Sequence, residues 1–402
     1  MSQCSRALLP FLLLLGGLKS FAQETPAVAA PKNVYAKLGK GINFIAPDSS
    51  MSLKMGARIQ TLFVAERSLA EGARTEKEMM VRRARLKFDG FAFTPKLEYK
   101  IELALSNRDN GSVMPQGGNA ANIVLDAVVK YQASKNTELW FGQTKLPGNR
   151  ERVNSSSSLQ FVDRSLVNSL YNLDRDIGLQ LHHQFHVGPV VVKDKYAVSL
   201  GQGRNITVAD TGGFSYTGRV EVLPFGEFSH KGDYFESDLE REATPRLSLA
   251  AGYSYNDGAV RKGGELGAFL GESRDLKTFF ADLFWKYRGW SVASEYMKKQ
   301  AADGSALTAK PHVFFETGSG FNVQSGYLFP NNFELAGRYT EVTPSRAIRQ
   351  AGEEGPVREY TLGLSKYFVG HSLKVQSDVS HIRNFLEADP ALRFRFQVEL
   401  GF

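Results

Sequence analysis

A two-residue period runs through most of the length of this chain and limits it to extended strands. In "MSLKMGARIQTLF" Met51, Leu53, Met55, Ala57, Ile59 and Phe63 alternate with Ser52, Lys54, Arg58 and Gln60. In "RRARLKFDG" Arg83, Arg85, Lys87 and Asp89 oppose Ala84, Leu86, Phe88 and Gly90, and in "LEYKIELALS" Leu97, Tyr99, Ile101, Leu103 and Leu105 oppose Glu98, Lys100, Glu102 and Ser106. The final "ALRFRFQVELGF" sets Leu392, Phe394, Phe396, Val398, Leu400 and Phe402 against Arg393, Arg395, Gln397 and Glu399. Only an extended strand sorts side chains this way, because its successive Cβ atoms point to opposite faces.

The same test marks further strands around 121–133, 136–145, 176–186, 194–202, 214–224, 245–256, 275–288, 290–299, 312–328, 332–342, 357–369, 371–383 and 391–402. With those over 51–63, 82–90 and 97–106, the pattern predicts about sixteen, each near the ~10 residues of a tilted membrane-spanning strand. Connections alternate between long (66–78, 107–120, 146–175) and tight (near Thr94, Ser134, Gly289, Pro330 and Gly370). The segment 225–244, "FGEFSHKGDYFESDLEREAT", breaks the rule, being long where a tight turn is due, so either a turn carries an insertion there or a strand is misplaced.

A soluble sheet also has one apolar and one polar face. Three features favour a lipid-facing barrel: the alternating connections, the aromatics near strand ends, and a terminal strand whose apolar face has nothing left to cover it. The aromatics are Tyr131, Trp140, Tyr253, Tyr255, Trp285, Tyr287, Tyr296 and Tyr367, assigned to interfacial girdles. With 42% hydrophobic and 23% charged residues and a mean hydropathy of −0.26, the mature chain has no run of ~18 apolar residues, so any crossing is by strands. The expected fold is all-β: a transmembrane antiparallel β-barrel over 51–402.

The start, "MSQCSRALLPFLLLLGGLKSFAQE", reads as a secretory signal peptide over 1–22, cut after Ala22. Residues 23–50 read as a flexible periplasmic extension rich in Pro and Ala. Cys4 is the only cysteine and leaves with the leader, which excludes disulfides, thiolate catalysis and Cys-ligated metals. Loss of Arg6 and Lys19 lowers the net charge from +7 to +5. Export turns that excess away from nucleic acid and toward small anions or anionic lipid. Nothing calls for a cofactor or a metal: His182 and His183 point to opposite sides of a strand, and with His186 they read as rim residues.

Several stretches also carry a resemblance: "RRARLKFDG", "LDAVVKY", "FGQTKLPGNRERVNSSSSLQFVDRSLV" followed by "RDIGLQL", "GFNVQSGYLF" with "FELAGRY", and "TLGLSKYFVGHSLKVQSDVS". In this order, from about Gly41 to Phe402, they resemble the phosphate-selective porins of the O and P type. The resemblance implies an outer-membrane homotrimer of sixteen-stranded barrels with long loops outside, one loop folded into the pore, and an anion path of arginines and lysines. It also implies that Phe402 is an assembly signal read by the barrel-assembly machinery. Lys145, Arg150, Arg152 and Arg164, with the hydroxyls of Ser155, Ser156, Ser157 and Ser158, fall in or beside the constriction loop near 146–175. No group of three lysines marks the centre that the family's phosphate-selective members carry.

Turning each polar face inward gives a basic path of Lys54, Arg58, Arg83, Arg85, Lys87, Lys100, Lys130, Arg219, Arg393 and Arg395, with Arg246, Lys286, Arg338 and Lys374 as further lumen candidates. Guanidinium and ammonium groups can replace the water that an anion sheds in a narrow pore. The competing reading makes these charges cross-strand bridges, favoured for Glu98, Lys100 and Glu102; the path reading is favoured for Arg83, Arg85 and Lys87. The expected function is passive diffusion of small inorganic anions, phosphate-like by resemblance. Alternatives are a non-selective or plugged barrel and an outer-membrane barrel hydrolase, although no Ser, His and acid trio falls on one rim.

Overall fold

The computed structural model describes residues 34–110, 122–207 and 212–402. The chain opens with a hairpin of β1 (Val34–Lys37) and β2 (Gly41–Ile45). Then come β3 (Ser52–Ser68), β4 (Glu76–Ala92), β5 (Thr94–Ala104), β6 (Val124–Ser134), β7 (Thr137–Lys145), β8 (Arg175–Val187), β9 (Val190–Ser199) and β10 (Ser215–Leu223). The second half holds β11 (Arg246–Arg261), β12 (Phe269–Tyr287), β13 (Trp290–Ala301), β14 (Gly318–Leu328), β15 (Phe333–Pro344), β16 (Val357–Val369), β17 (Leu373–Asn384) and β18 (Ala391–Gly401). From β3 onward each strand pairs antiparallel with the next, and β18 returns to β3 from Ala391↔Ser68 to Gly401↔Arg58. Sixteen strands thus close into a barrel, and each corresponds to a segment marked by the two-residue period.

Closure satisfies the backbone along every strand, which a bilayer demands. Side-chain exposure is inverted relative to a soluble protein: Phe141 is 63% exposed and Leu362 60%, while Gln60 and Asp126 are fully buried. The apolar band faces lipid and the polar set faces the lumen. Two of the aromatics assigned to the girdles belong inside. Trp140 shares its side with Glu138, to which its indole N–H donates (2.8 Å), and the Tyr367 hydroxyl donates to Glu334 (2.6 Å).

The leader expected over 1–22 lies outside the described residues. Within the extension expected over 23–50, residues 34–45 form the β1–β2 hairpin, whose β2 pairs with β3 from Ile42↔Met55 to Ile45↔Ser52. It occupies the edge of β3 just below Phe402, whose amide and carbonyl both bond to Ala57 (2.9 and 2.8 Å). The unpaired edge of β3 beneath β18 is the physical reason that this segment is ordered.

Three inward apolar residues that violate the alternation share one cause. Phe280, Met297 and Val342 pack against Val167, Tyr171 and Leu173 of the segment between β7 and β8. Inward glycines seat the same segment. A Cβ at Gly363 would meet the Phe161 ring at 2.9 Å, and one at Gly320 would meet Val167 at 2.8 Å.

Candidate functional site

Two segments enter the lumen from opposite ends and meet. The first, residues 146–174, leaves β7 at the long-loop end and runs round the inner wall. Asn149 donates to Glu295 (2.8 Å), and Arg150 reaches Asp282 (3.0 Å) and Ser248 (2.8 Å). Gln160 donates to Glu334 (2.7 Å) and Ser291 (2.9 Å), and the Val162 amide donates to Asp378 (3.1 Å). The short helix Leu166–Tyr171, capped by Ser165, then turns back toward β8.

The second is the long segment between β10 and β11, whose length breaks the alternation of connections. No strand is misplaced there: the connection carries an insertion that folds up into the barrel. The Glu236 amide donates to the Ser158 carbonyl (2.9 Å), while its carboxylate accepts from the Gln160 amide (2.9 Å) and Gln324 (3.0 Å). Asp233 pairs with Lys193 (2.9 Å), Asp238 accepts from the Gly289 amide (2.7 Å), and the Tyr234 hydroxyl donates to Glu221 (2.8 Å). Asp233, Glu236, Asp238 and Glu242 are all buried, and each has at least one donor or cation against it.

Together the segments cover the inner wall from β11 to β17. What stays open at the short-turn end is a vestibule of about 980 Å3. Its wall comes from β3 to β10, its roof from Ser155 and Ser157, and one flank from Tyr234 and Phe235. Fourteen Lys and Arg and seven Asp and Glu line it, so its charge is strongly positive although the protein as a whole is only mildly so.

Of the basic residues marked in the sequence, Lys54, Arg58, Arg85, Lys87, Lys100, Lys130, Lys145 and Arg219 line this space. Many are held by carboxylates: Arg58 by Glu399 (3.5 Å), Lys87 by Asp89 (2.9 Å), Lys100 by Asp126 (2.6 Å) and Glu102 (2.9 Å), and Arg219 by Asp282 (2.7 Å). Arg85 is clamped by Glu102 (2.9 Å) and bidentately by Asp109 (2.5 and 2.7 Å). Burial pushes the Asp109 carboxyl up, but the Arg85 hydrogen bond and charge outweigh it and hold it at about 2. Three cations are different. Lys54 has no carboxylate partner among the described residues, Lys130 lies 3.9 Å over the Trp140 ring, and Lys145 donates to the Val153 and Asn154 carbonyls (3.0 and 2.9 Å).

The remaining candidates lie outside the vestibule. Arg83 is buried against Gln60 (2.8 Å) and Asp163 (3.3 Å). A bulge explains its neighbour: the register passes from Gln60↔Arg83 to Thr61↔Val81, so Arg82 also turns inward and meets Asp163 (2.9 Å). Burial raises the Asp163 carboxyl, yet Arg82 and Arg83 hold it well below the usual carboxylate range. Arg150 is sequestered among Asp282, Ser248 and the Asp233 carbonyl (3.1 Å), and Arg152 pairs with Asp174. Arg164 donates to the Glu151 and Asn154 carbonyls (2.7 and 2.9 Å), Arg393 pairs with Glu66 (2.6 Å), and Arg395 pairs with Asp378 (2.6 Å). The serine run divides: Ser155, Ser157 and Ser158 line the vestibule, the Ser158 carbonyl also accepting from the Glu236 amide, while Ser156 is buried and accepts from Arg58 (2.8 Å).

Sequence reasoning missed Arg175, Lys193, Lys195 and Tyr234, which complete the lining. Lys193 and Lys195 sit on the inward face of β9 behind a Val190–Val192 run that hides the alternation. His182 stacks on Trp140 with ring centroids 4.0 Å apart inside the lumen, whereas the adjacent His183 pairs with Asp194 (2.9 Å) on the other face.

A closed antiparallel barrel with polar lumen, segments folded inward and a charged vestibule defines a porin-type channel. The sequence model described as phosphate-selective porin O and P matches residues 53–392, and the chain belongs to this family. No curated protein matches it. The outer membrane channel DcaP of Acinetobacter baumannii superimposes with a TM-score of 0.55 at 12% identity, over 90% of this chain and all of that one. An anion-selective porin from Comamonas acidovorans gives 0.53 at 12%, over 88% and 100%, and the trimer form of OmpT from Vibrio cholerae gives 0.51 at 11%, over 88% and 100%. At such identities these neighbours share the fold alone. Family and fold place the protein among outer-membrane channels and point away from an enzyme.

Proposed function

We propose that the protein is an outer-membrane channel for passive diffusion of small anions, phosphate-like solutes among them, with the basic vestibule as its anion-collecting chamber. The observation that carries this is the two-to-one excess of cations lining the vestibule, with Lys54, Lys130 and Lys145 free of any carboxylate within ion-pair distance among the described residues. An anion there exchanges hydration for charge-assisted hydrogen bonds while low-dielectric walls focus the field. Arg58, Arg85, Lys87, Lys100 and Arg219 supply field at longer range. Arg83, Arg150, Arg152, Arg164, Arg393 and Arg395 are assigned to holding the segments and wall in place.

Export by the leader over 1–22, recognition of Phe402 by the assembly machinery and association as a homotrimer belong to the same reading, supported by the family and by the trimer form of one structural neighbour. Bilayer recordings in a salt gradient test it: the reversal potential takes the sign of anion selectivity, and added phosphate depresses chloride current. A cation-selective reversal potential overturns the proposal. The two hydrogen-bonded segments favour a plugged barrel as second reading, and a protein that inserts without conducting supports that one instead.

A further inference from the structure

The lipid-facing surface of β10 to β13 carries a depression that the channel does not use. One register row crosses it, Val220↔Ala251↔Ala281↔Tyr296, so two alanines lie between larger side chains on neighbouring strands. Leu249 and Leu283 extend the dip into an apolar groove of about 560 Å3 on the outside of the barrel. About 13 Å up β12 from Ala281, toward the long-loop end, Lys277 points to the same side. Lys298 stands diagonally opposite on β13, where the register runs Lys277↔Gln300 and Phe279↔Lys298.

Both lysines are exposed, and neither has a partner among the described residues. The outward Asp275 nearby is engaged by the Tyr255 hydroxyl (2.7 Å) and the Gly258 amide (3.0 Å). Directly below the lysines, the Phe279 and Tyr296 rings meet at 6.4 Å, and Trp285 and Tyr287 pair near the other end of β12. Two aromatic levels on one strand face bound the hydrocarbon belt and put the lysines at headgroup depth on the long-loop side, which in such barrels is the outer leaflet.

We propose that this face is a binding site for a phosphorylated glycolipid of the outer leaflet, with its phosphate on Lys277 and Lys298 and an acyl chain in the groove. Charge complementarity selects the occupant: two cations at a lipid surface attract an anionic headgroup, and a groove without charge in its outward side chains takes hydrocarbon. The proposal rests on outer-membrane residence but not on ion selectivity.

Native mass spectrometry of the purified detergent-solubilised protein tests it, with a bis-phosphorylated acylated glycolipid or its dephosphorylated counterpart added. The wild type should retain the phosphorylated form roughly tenfold or more over the other. K277Q/K298Q should abolish that preference, and A281F, which fills the groove, should reduce retention of both. Equal retention of the two lipids by the wild type overturns the proposal. So does a change of oligomer mass in A281F, which would assign the groove to a second copy of the chain. Heat-modifiable migration of each variant verifies folding, and conductance measured in parallel separates this question from the channel's.

Discussion

The main-chain amide of Glu236 donates to the carbonyl of Ser158 across 2.9 Å, joining two segments that enter the barrel from opposite ends. The Glu236 carboxylate adds bonds to the Gln160 amide and to Gln324, so one residue fastens the insertion to the loop and to the wall. The lumen at this level is therefore narrowed by a joint between two loops.

Replacing Glu236 with Ala removes two hydrogen bonds to a charged acceptor, each worth about 1.5–3 kcal/mol. Single-channel recordings should show noisier open current and higher mean conductance, with a lower unfolding temperature of the heat-modifiable band. Current traces indistinguishable from wild type would separate the joint from the cross-section.

Gly363 faces Phe161 so closely that a side chain forces the loop away. Gly363→Leu should cost about 1–3 kcal/mol by overpacking and raise conductance as residues 158–163 lift from the wall. Unaltered conductance with normal stability would mean the loop accommodates the extra volume in place.

Asp163 neutralises both Arg82 and Arg83. Asp163→Asn strands two inward guanidiniums and should cost about 3–5 kcal/mol, read as lower folded yield. Arg83→Gln should weaken loop anchoring yet leave the reversal potential where it was. Because the folded carboxyl lies below its unfolded value, its contribution is fully present above the unfolded pKa, ~3.9, and is lost as pH falls through the folded one. Loop-dependent conductance should therefore be flat from neutral pH down to about 5. A step in conductance between pH 7 and 5 that Asp163→Asn abolishes would contradict this sign.

Strand existence was legible because lipid and lumen impose opposite polarity on alternate residues, and Ile59 beside Gln60 already displays it. The trio Arg83, Arg85 and Lys87 was correctly grouped on one face with Asp89, the partner of Lys87, but Asp163 and Asp109, which hold Arg83 and Arg85, lie on connecting segments whose paths the alternation does not reveal. The bulge that turns Arg82 inward leaves no mark on a strict two-residue count. Inward Gly320 and Gly363 were the available signal for where the loop sits, since a glycine on a lumen face is a place where something else approaches. The insertion between β10 and β11 announced itself only by its length, and Trp140 and Tyr367 read as girdle residues because an aromatic near a strand end carries no sign of its side.

The most direct measurement is the reversal potential of a Lys54→Gln, Lys130→Gln double variant across a salt gradient. Both groups project into the vestibule from strands and hold no ion pair among the described residues, so removing them changes the field and leaves the wall intact. Anion selectivity should fall toward neutrality, most at 0.01 M salt, where charges act over ~30 Å. A reversal potential equal to that of the wild type at that ionic strength would contradict an anion-collecting vestibule.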